Sequence, residues 1–347
     1  MYQSLTEAQL KQQIDAEQAY AAWQDAAVKA RDFVGGMHWK TVAGKEYLYK
    51  TLDRKGNAKS LGVRSPATQD IERHFNEGKA LSKERMQALE GALDTHSKIN
   101  VALRLGSAPN IVAQLCQRLH LAGLLGPSLM VIGTNSLLAY EAMAGVRFDR
   151  DIMATTDIDL LWDHKARVRL ATDSDLAEPN LLALLQKVDK SFQIVQNQNF
   201  RATNDKGFMV DLIRQMPSPP WKDEPDRFFA NGGLNGDLIA TDIWNMKWLL
   251  NAPRVQQIAI AINGSMFPLC VPDPRAYAMF KLWLAQSDER NPLKKSRDLA
   301  QAKALAALIQ DKLPHLAKNW QHITSFPAAV AKDAMARLLN RHHGFTA

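Results

Sequence analysis

The residues of this chain best suited to chemistry are three aspartates and one glycine turn. Asp157 and Asp159 stand in Thr155-Thr156-Asp157-Ile158-Asp159-Leu160-Leu161-Trp162, and Asp211 in Phe208-Met209-Val210-Asp211-Leu212-Ile213. Each run is apolar enough to read as a buried strand. A strand alternates its faces with a period of two, so Asp157 and Asp159 share one face while Ile158 and Leu160 take the other. Two neighbouring carboxylates repel unless a cation sits between them. A third from an adjacent strand would complete a divalent-metal site made of hard oxygen ligands. The competing reading is an Asp-x-Asp at an exposed strand end that caps loops. It is the weaker one, because carboxylates left unpaired in apolar strands are costly.

Upstream, Val131-Ile132-Gly133-Thr134-Asn135-Ser136 reads as a strand running into a helix start. A helix N-terminus offers unpaired N–H groups and a partial positive charge. Gly133 would let the backbone approach a phosphate closely, and the hydroxyl of Thr134 or Ser136 could add a donor. Taken alone, the same residues make an ordinary helix cap; the aspartate pair downstream favours the phosphate reading. Together these parts suit an in-line displacement at an α-phosphate. Two metal ions about 3.5–4 Å apart can stabilise both the attacking and the leaving oxygens in such a reaction. Asp157 and Asp159 would bind the metals. Asp211 would complete the site for the metal that activates an acceptor hydroxyl, and could take up its proton.

The elements that must position these residues follow from pattern. Residues from about Thr6 to Phe33 read as one helix. His38-Trp39-Lys40-Thr41-Val42, Glu46-Tyr47-Leu48-Tyr49-Lys50 and Ser60-Leu61-Gly62 read as a small basic β-meander, with turns at Ala43-Gly44-Lys45 and Asp53-Arg54-Lys55-Gly56-Asn57. Ser65-Pro66 opens a helical stretch to about Leu105, with a break expected near Gly78, and another helix spans about Asn110 to Leu121. Pro127 to Leu161 reads as strand, helix, loop and strand, and Asn180 to Asp189 as helix. Phe192 to Gln196, Phe200 to Thr203 and Phe208 to Ile213 form strands around the third aspartate, and Met216-Pro217-Ser218-Pro219-Pro220 ends that sheet. Asn263-Gly264 turns a hairpin between Gln256–Ile262 and Ser265–Val271. From Asp273 onward the chain reads as helix, starting at Pro274 with breaks near Pro292, Pro314 and Pro327.

The chain has 347 residues, ordinary apolar and charged fractions and a formal charge of +7. That is enough for two or three domains and compatible with polyanion contact without requiring it. Cys116 and Cys270 sit in apolar surroundings and read as buried reduced thiols. No signal peptide and no bilayer-spanning run is expected, so the sequence reads as cytoplasmic, with no membrane partner.

The pattern resembles the DNA polymerase β-like nucleotidyltransferase superfamily, closest to a bacterial branch of nucleotidyltransferase-fold proteins. The stretches that carry the resemblance are Met37-His38-Trp39-Lys40, Glu46-Tyr47-Leu48-Tyr49, Ser60-Leu61-Gly62, Gly133 to Glu141, Gly145-Val146-Arg147-Phe148, Thr156 to Leu161 and Val271-Pro272-Asp273-Pro274-Arg275. The resemblance implies an α/β (α+β) fold: a nucleotidyltransferase core with a mixed sheet, flanked by N-terminal helices, the β-meander and a C-terminal helical region. The expected division is residues 1–105, 106–272 and 273–347. It also implies a nucleoside triphosphate substrate and Mg²⁺, with Mn²⁺ as the substitute. The metal ligands would be Asp157, Asp159 and Asp211, and Gly133, Thr134, Asn135 and Ser136 would lie at the phosphates.

The gap between Thr134 and Asp157 is longer than the superfamily usually has. The inserted residues either carry Arg147 to the triphosphate or extend a connection. A helix after the sheet often supplies a lysine in this superfamily, which points to Lys281; the alternative is a lysine snorkelling to solvent from an amphipathic helix. Lys294, Lys295 and Arg297 either bind phosphate or lie on a wet helical face. Trp39, Tyr47 and Tyr49 among the lysines of the meander either stack bases or are half-buried packing residues. His342-His343 reads as tail.

The acceptor is an RNA end, a protein hydroxyl or a small molecule, with the basic charge tilting towards RNA, and a bacterial defence or toxin setting fits by analogy. The oligomeric state is left open. The rival class is a non-catalytic nucleotide- or nucleic-acid-binding module of the same fold. A phosphodiesterase or nuclease would usually recruit histidines, and none lies beside these aspartates in sequence.

Overall fold

The computed structural model describes residues 1–52, 56–165, 180–222, 224, 226 and 236–339. Strand β1 (Tyr2–Ser4) leads into helix α1 (Glu7–Ala30), which opens on a capping box between Thr6 and Gln9. A 3₁₀ turn at Arg31–Phe33 follows, then the antiparallel meander β2 (Met37–Val42), β3 (Lys45–Thr51) and β4 (Ala58–Val63). Helix α2 (Pro66–Ala102) begins with a second capping box, between Ser65 and Thr68, and runs without interruption. Gly78 does not break it. The expected break fails because the missing side chain has a packing use: a Cβ at Gly78 would collide with the ring of Phe33. Residues 53–55 of the second meander turn and His342-His343 lie outside the described residues.

Helix α3 (Asn110–Leu121), strand β5 (Leu129–Ile132), a 3₁₀ turn (Thr134–Ser136) and helix α4 (Leu137–Ala144) come next. They are followed by β6 (Val146–Phe148), α5 (Arg150–Met153), β7 (Asp157–Trp162), α6 (Leu181–Gln186), β8 (Gln193–Val195), β9 (Gln198–Thr203), β10 (Met209–Gln215) and β11 (Thr241–Ile243). The central sheet has the order β5-β7-β10-β9-β8, with β11 added to β10. Strand β10 lies parallel to β7 and β11, and the β5–β7, β9–β10 and β8–β9 pairs are antiparallel. The sheet is therefore mixed and the fold α/β. It does not end at Met216: the chain returns and β11 pairs with Ile213–Gln215. The pair β1–β6 was also not expected from the sequence. Strands this short carry too few alternating residues to show a period.

Helix α7 (Lys247–Leu250) precedes the hairpin β12 (Arg254–Ile260) and β13 (Met266–Pro272). Helices α8 (Pro274–Gln286), α9 (Pro292–Lys312), α10 (Pro314–Ala317) and α11 (Ala328–Leu339) complete the chain, each of the first three starting at its proline. One apolar cluster extends from Ala108 to Leu338, so the sheet and the C-terminal helices share a core. A smaller cluster of Ala16, Tyr20, Leu105, Ile260 and Met266 joins α1 to the hairpin. In the meander, Trp39 packs towards α2: its indole N–H donates to Glu72 at 2.8 Å and the Arg64 guanidinium lies 5.1 Å over its ring. Cys116 and Cys270 are buried and free. Among the described residues no helix is long and apolar enough to cross a membrane.

The Asn263-Gly264 turn does more than reverse the hairpin. Gly264 has φ +83°, its carbonyl accepts from Asn100 Nδ2 at 2.9 Å, and a Cβ there would strike the Ser97 carbonyl of α2. Gly264→Ala therefore combines backbone strain with a collision against main chain. It should destabilise the fold by at least about 2 kcal/mol, measured as a lowered urea midpoint; an unchanged midpoint would show that α2 and the hairpin do not meet as described.

Candidate active site

The register of the central sheet brings the predicted residues together. Asp211 on β10 is the direct partner of Asp159 on β7, Met209 is that of Asp157, and Ile132 on β5 faces Asp159 from the other side. In-register partners project to the same face, so Asp157, Asp159 and Asp211 share one face beside the end of β5. Gly133 follows immediately, at φ 72° and ψ −162°, a conformation open essentially to glycine. A Cβ on Gly133 would collide with the Asp159 carboxylate. The sequence reading expects a phosphate to approach this glycine; in this structure the Asp159 carboxylate of β7 packs against it.

The three residues after Gly133 are buried and engaged with the protein. Asn135 Nδ2 donates to the Asp157 carbonyl at 2.6 Å, and Ser136 Oγ donates to the Gly133 carbonyl at 2.8 Å. Thr134 Oγ1 accepts from Gln301 Nε2 at 3.3 Å, and the same amide donates to the Ile152 carbonyl at 2.7 Å. Tyr277, on α8, donates its hydroxyl to the Gly133 carbonyl at 2.7 Å. The turn is thus held from within. The Ser136 proton is committed to Gly133, which leaves the backbone N–H groups and Thr134 as the outward donors.

Charge is distributed unevenly among the carboxylates. Burial, then the charges of Asp157 and Asp211, push the Asp159 carboxyl up to about 6, with Lys281 and Lys294 pulling the other way. Thr155 Oγ1 donates to Asp157 Oδ1. Asp211 is neutralised by Arg201, its register partner on β9, which donates from Nε at 2.7 Å and from Nη2 at 2.6 Å. Arg201 was not anticipated, although a hairpin turn centred on Lys206 pairs positions 201 and 211 by simple counting. Among the described residues no three Asp, Glu, His or Cys side chains are gathered as a metal cluster.

The donor set nevertheless suits a divalent cation. Asp157 and Asp159 offer hard carboxylate oxygens from alternate positions of one strand. The fork of Arg201 occupies one acceptor position on each Asp211 oxygen and leaves others free.

Two further residues are placed differently from the sequence reading. Lys281 is 4% exposed, so it does not snorkel. Its ammonium pairs with Asp298 at 2.8 Å and lies 5.5 Å over the Tyr277 ring, and Arg290 takes the other Asp298 oxygen at 2.8 Å. The anion that Lys281 faces belongs to the protein. Burial alone would raise the Asp298 carboxyl, but the two cations outweigh it and hold it below its ordinary value. Arg147 lies on β6 and donates to the carbonyls of Arg104, at 3.1 Å, and Leu105. Arg147 lines a groove of about 860 Å³ that also borders Thr134, Asn135 and Thr155. Of the basic residues on α9, Lys294 is exposed, and Arg297 donates to the Ala154 carbonyl at 3.2 Å.

The raised Asp159 carboxyl fixes the sign of a pH effect. A folded value above the unfolded one means that the native state binds the proton more tightly. The ionised group then costs stability, and the cost grows as pH rises from about 4 to about 6. Asp159→Asn should therefore stabilise the protein by about 1 kcal/mol at pH 8, seen as a Tm raised by roughly 2–4 °C, and should give no gain at pH 4. A loss of stability at pH 8 would show that the carboxylate is compensated.

A family model described as nucleotidyltransferase matches residues 110–325. The matched span contains the glycine turn, all three aspartates, Arg201 and the α8–α9 pair. No curated protein and no solved structure matches the chain.

Proposed function

The chain belongs to this nucleotidyltransferase family, and from that premise we propose that it transfers a nucleoside monophosphate from a nucleoside triphosphate to an acceptor hydroxyl, with release of pyrophosphate. The family implies a nucleotide substrate; the donor, the cation and the reaction direction are our reading. The observation that carries it is the Asp159 carboxylate packed against Gly133 with Asp211 in register across the sheet. Phosphate-binding turn and carboxylates thereby share one small space.

In this reading the triphosphate lies at the main chain of Gly133 and Thr134, beside the Asp159 carboxylate that packs against the glycine. Mg²⁺ or Mn²⁺ held by Asp157 and Asp159, with Asp211 beside them, would neutralise charge on the phosphate oxygens. Tyr277 and Ser136 fix the Gly133 carbonyl and so the plane of the turn. Lys281, buried and paired with Asp298 behind Tyr277, biases the field at Asp159 together with Lys294, without touching the substrate. Arg201 orients Asp211 through two hydrogen bonds. That bidentate pairing already places a donor on each Asp211 oxygen, so the geometry gives little support to Asp211 as a general base.

One observation favours a second reading, a nucleotide-binding module without turnover: each oxygen of Asp211 already accepts one hydrogen bond from Arg201. The two readings separate in one experiment. The protein is incubated with each labelled triphosphate, Mg²⁺ and a cell extract, and labelled product and retained triphosphate are measured together. Transfer is expected; triphosphate binding with no labelled product would establish the module. Asp157→Asn and Asp159→Asn should each reduce transfer by at least about 10²-fold while the fold is kept. Gly133→Ala should reduce triphosphate affinity as well, because its methyl group displaces the Asp159 carboxylate. Full activity in all three variants would remove the aspartates and the turn from the site.

A further inference from the structure

The groove of about 860 Å³ beside the turn is not used by the donor as placed above. It begins at Thr134 and at Thr155, whose hydroxyl is bonded to Asp157, and runs outward past α5 and the segment that joins α2 to α3. Its charged lining is one-sided in what remains available. The Glu141 carboxylate is buried at 5% exposure and accepts from Ser107 Oγ at 2.8 Å and from the Phe148 amide at 2.6 Å. Asp149 pairs with the chain's N-terminal ammonium at 2.8 Å. Arg147 is spent on two backbone carbonyls. Arg104 and Arg150 are exposed, and among the described residues neither guanidinium has a partner. The same groove is also lined by the apolar bodies of Pro109 and Met153.

Free cations in a groove that also carries apolar surface suit an extended anion with flat apolar groups. A nucleic-acid strand has that make-up: phosphates suit planar guanidinium forks, and a base can lie on the apolar stretch. A protein hydroxyl acceptor gives no reason for two unpaired arginines, and an acidic peptide would leave the apolar stretch uncovered. We propose that this groove seats the acceptor, and that the acceptor is the end of a single-stranded nucleic acid whose phosphates are held by Arg104 and Arg150. The terminal hydroxyl would then arrive at Thr155, next to Asp157. This inference rests on the nucleotidyl-transfer reading for its direction, and its test separates the two.

The full-length protein is titrated with a short fluorescein-labelled single-stranded oligoribonucleotide over a range of salt concentrations, and separately with a fluorescent nucleoside triphosphate. Arg104→Ala with Arg150→Ala should weaken oligoribonucleotide binding at least tenfold at low salt and flatten the log–log salt slope by about 1.4, since each phosphate contact on a single strand contributes about 0.7. Triphosphate affinity should not change. Both side chains are exposed, so circular dichroism should show the wild-type fold; Arg104→Lys with Arg150→Lys should recover part of the affinity. The proposal is overturned if the wild-type protein does not bind the oligoribonucleotide, or if the double variant binds it with unchanged affinity and slope. A loss of triphosphate affinity instead would give the groove to the donor. Competition by polyglutamate as effective as by the oligoribonucleotide would give it to an acidic protein chain. Absence of triphosphate binding in the wild type would defeat the transfer reading itself, independently of the oligoribonucleotide result.

Discussion

The side chains of Asp157, Asp159 and Asp211 lie on one face of one sheet, and like charge at that spacing has to be compensated nearby. The surrounding structure compensates only part of it. Arg201 meets Asp211 with two hydrogen bonds, and the positive charges of Lys281 and Lys294 act on Asp159. Burial, and then the charges of Asp157 and Asp211, push the Asp159 carboxyl up to about 6. In the proposed reaction such a site would receive a cation and an anionic substrate together.

The glycine turn meets the same constraint from the other direction. A carboxylate can pack against main chain only where there is no side chain, and Gly133 provides that position with a backbone conformation that other residues rarely adopt. Holding such a turn takes support from several elements. Tyr277 from α8, Gln301 from α9 and Ser136 from the turn itself each contribute a hydrogen bond. The helices that follow the hairpin are therefore part of the site's scaffold and share the core of the sheet.

Much of this was legible before any coordinates. The period of two placed Asp157 and Asp159 together, and the apolar runs around Asp211 and Gly133 announced strands. Helix starts at Ser65-Pro66, Pro274, Pro292 and Pro314 were readable because capping and proline chemistry are local. Gly78 misled for the opposite reason: a glycine that breaks a helix and one that admits a neighbouring ring look alike until Phe33 is in place. The short strands β1, β6 and β11 were invisible because their pairing comes from distant partners.

The side-chain partners divide in the same way. That Lys281 stood in an apolar helical run was evident from the sequence, but its pairing with Asp298, seventeen positions away, depends on how α8 crosses α9. Arg201 follows from hairpin counting, whereas the direction of its fork does not. The available charges of the groove, Arg104 and Arg150, come from segments far apart in the chain and meet only in the folded protein. The sequence by itself determined the chemical inventory and the local conformations, because propensity, period and capping act over a few residues. Tertiary structure alone decided which charges are paired and which remain free, because electrostatic compensation depends on distance through space rather than along the chain.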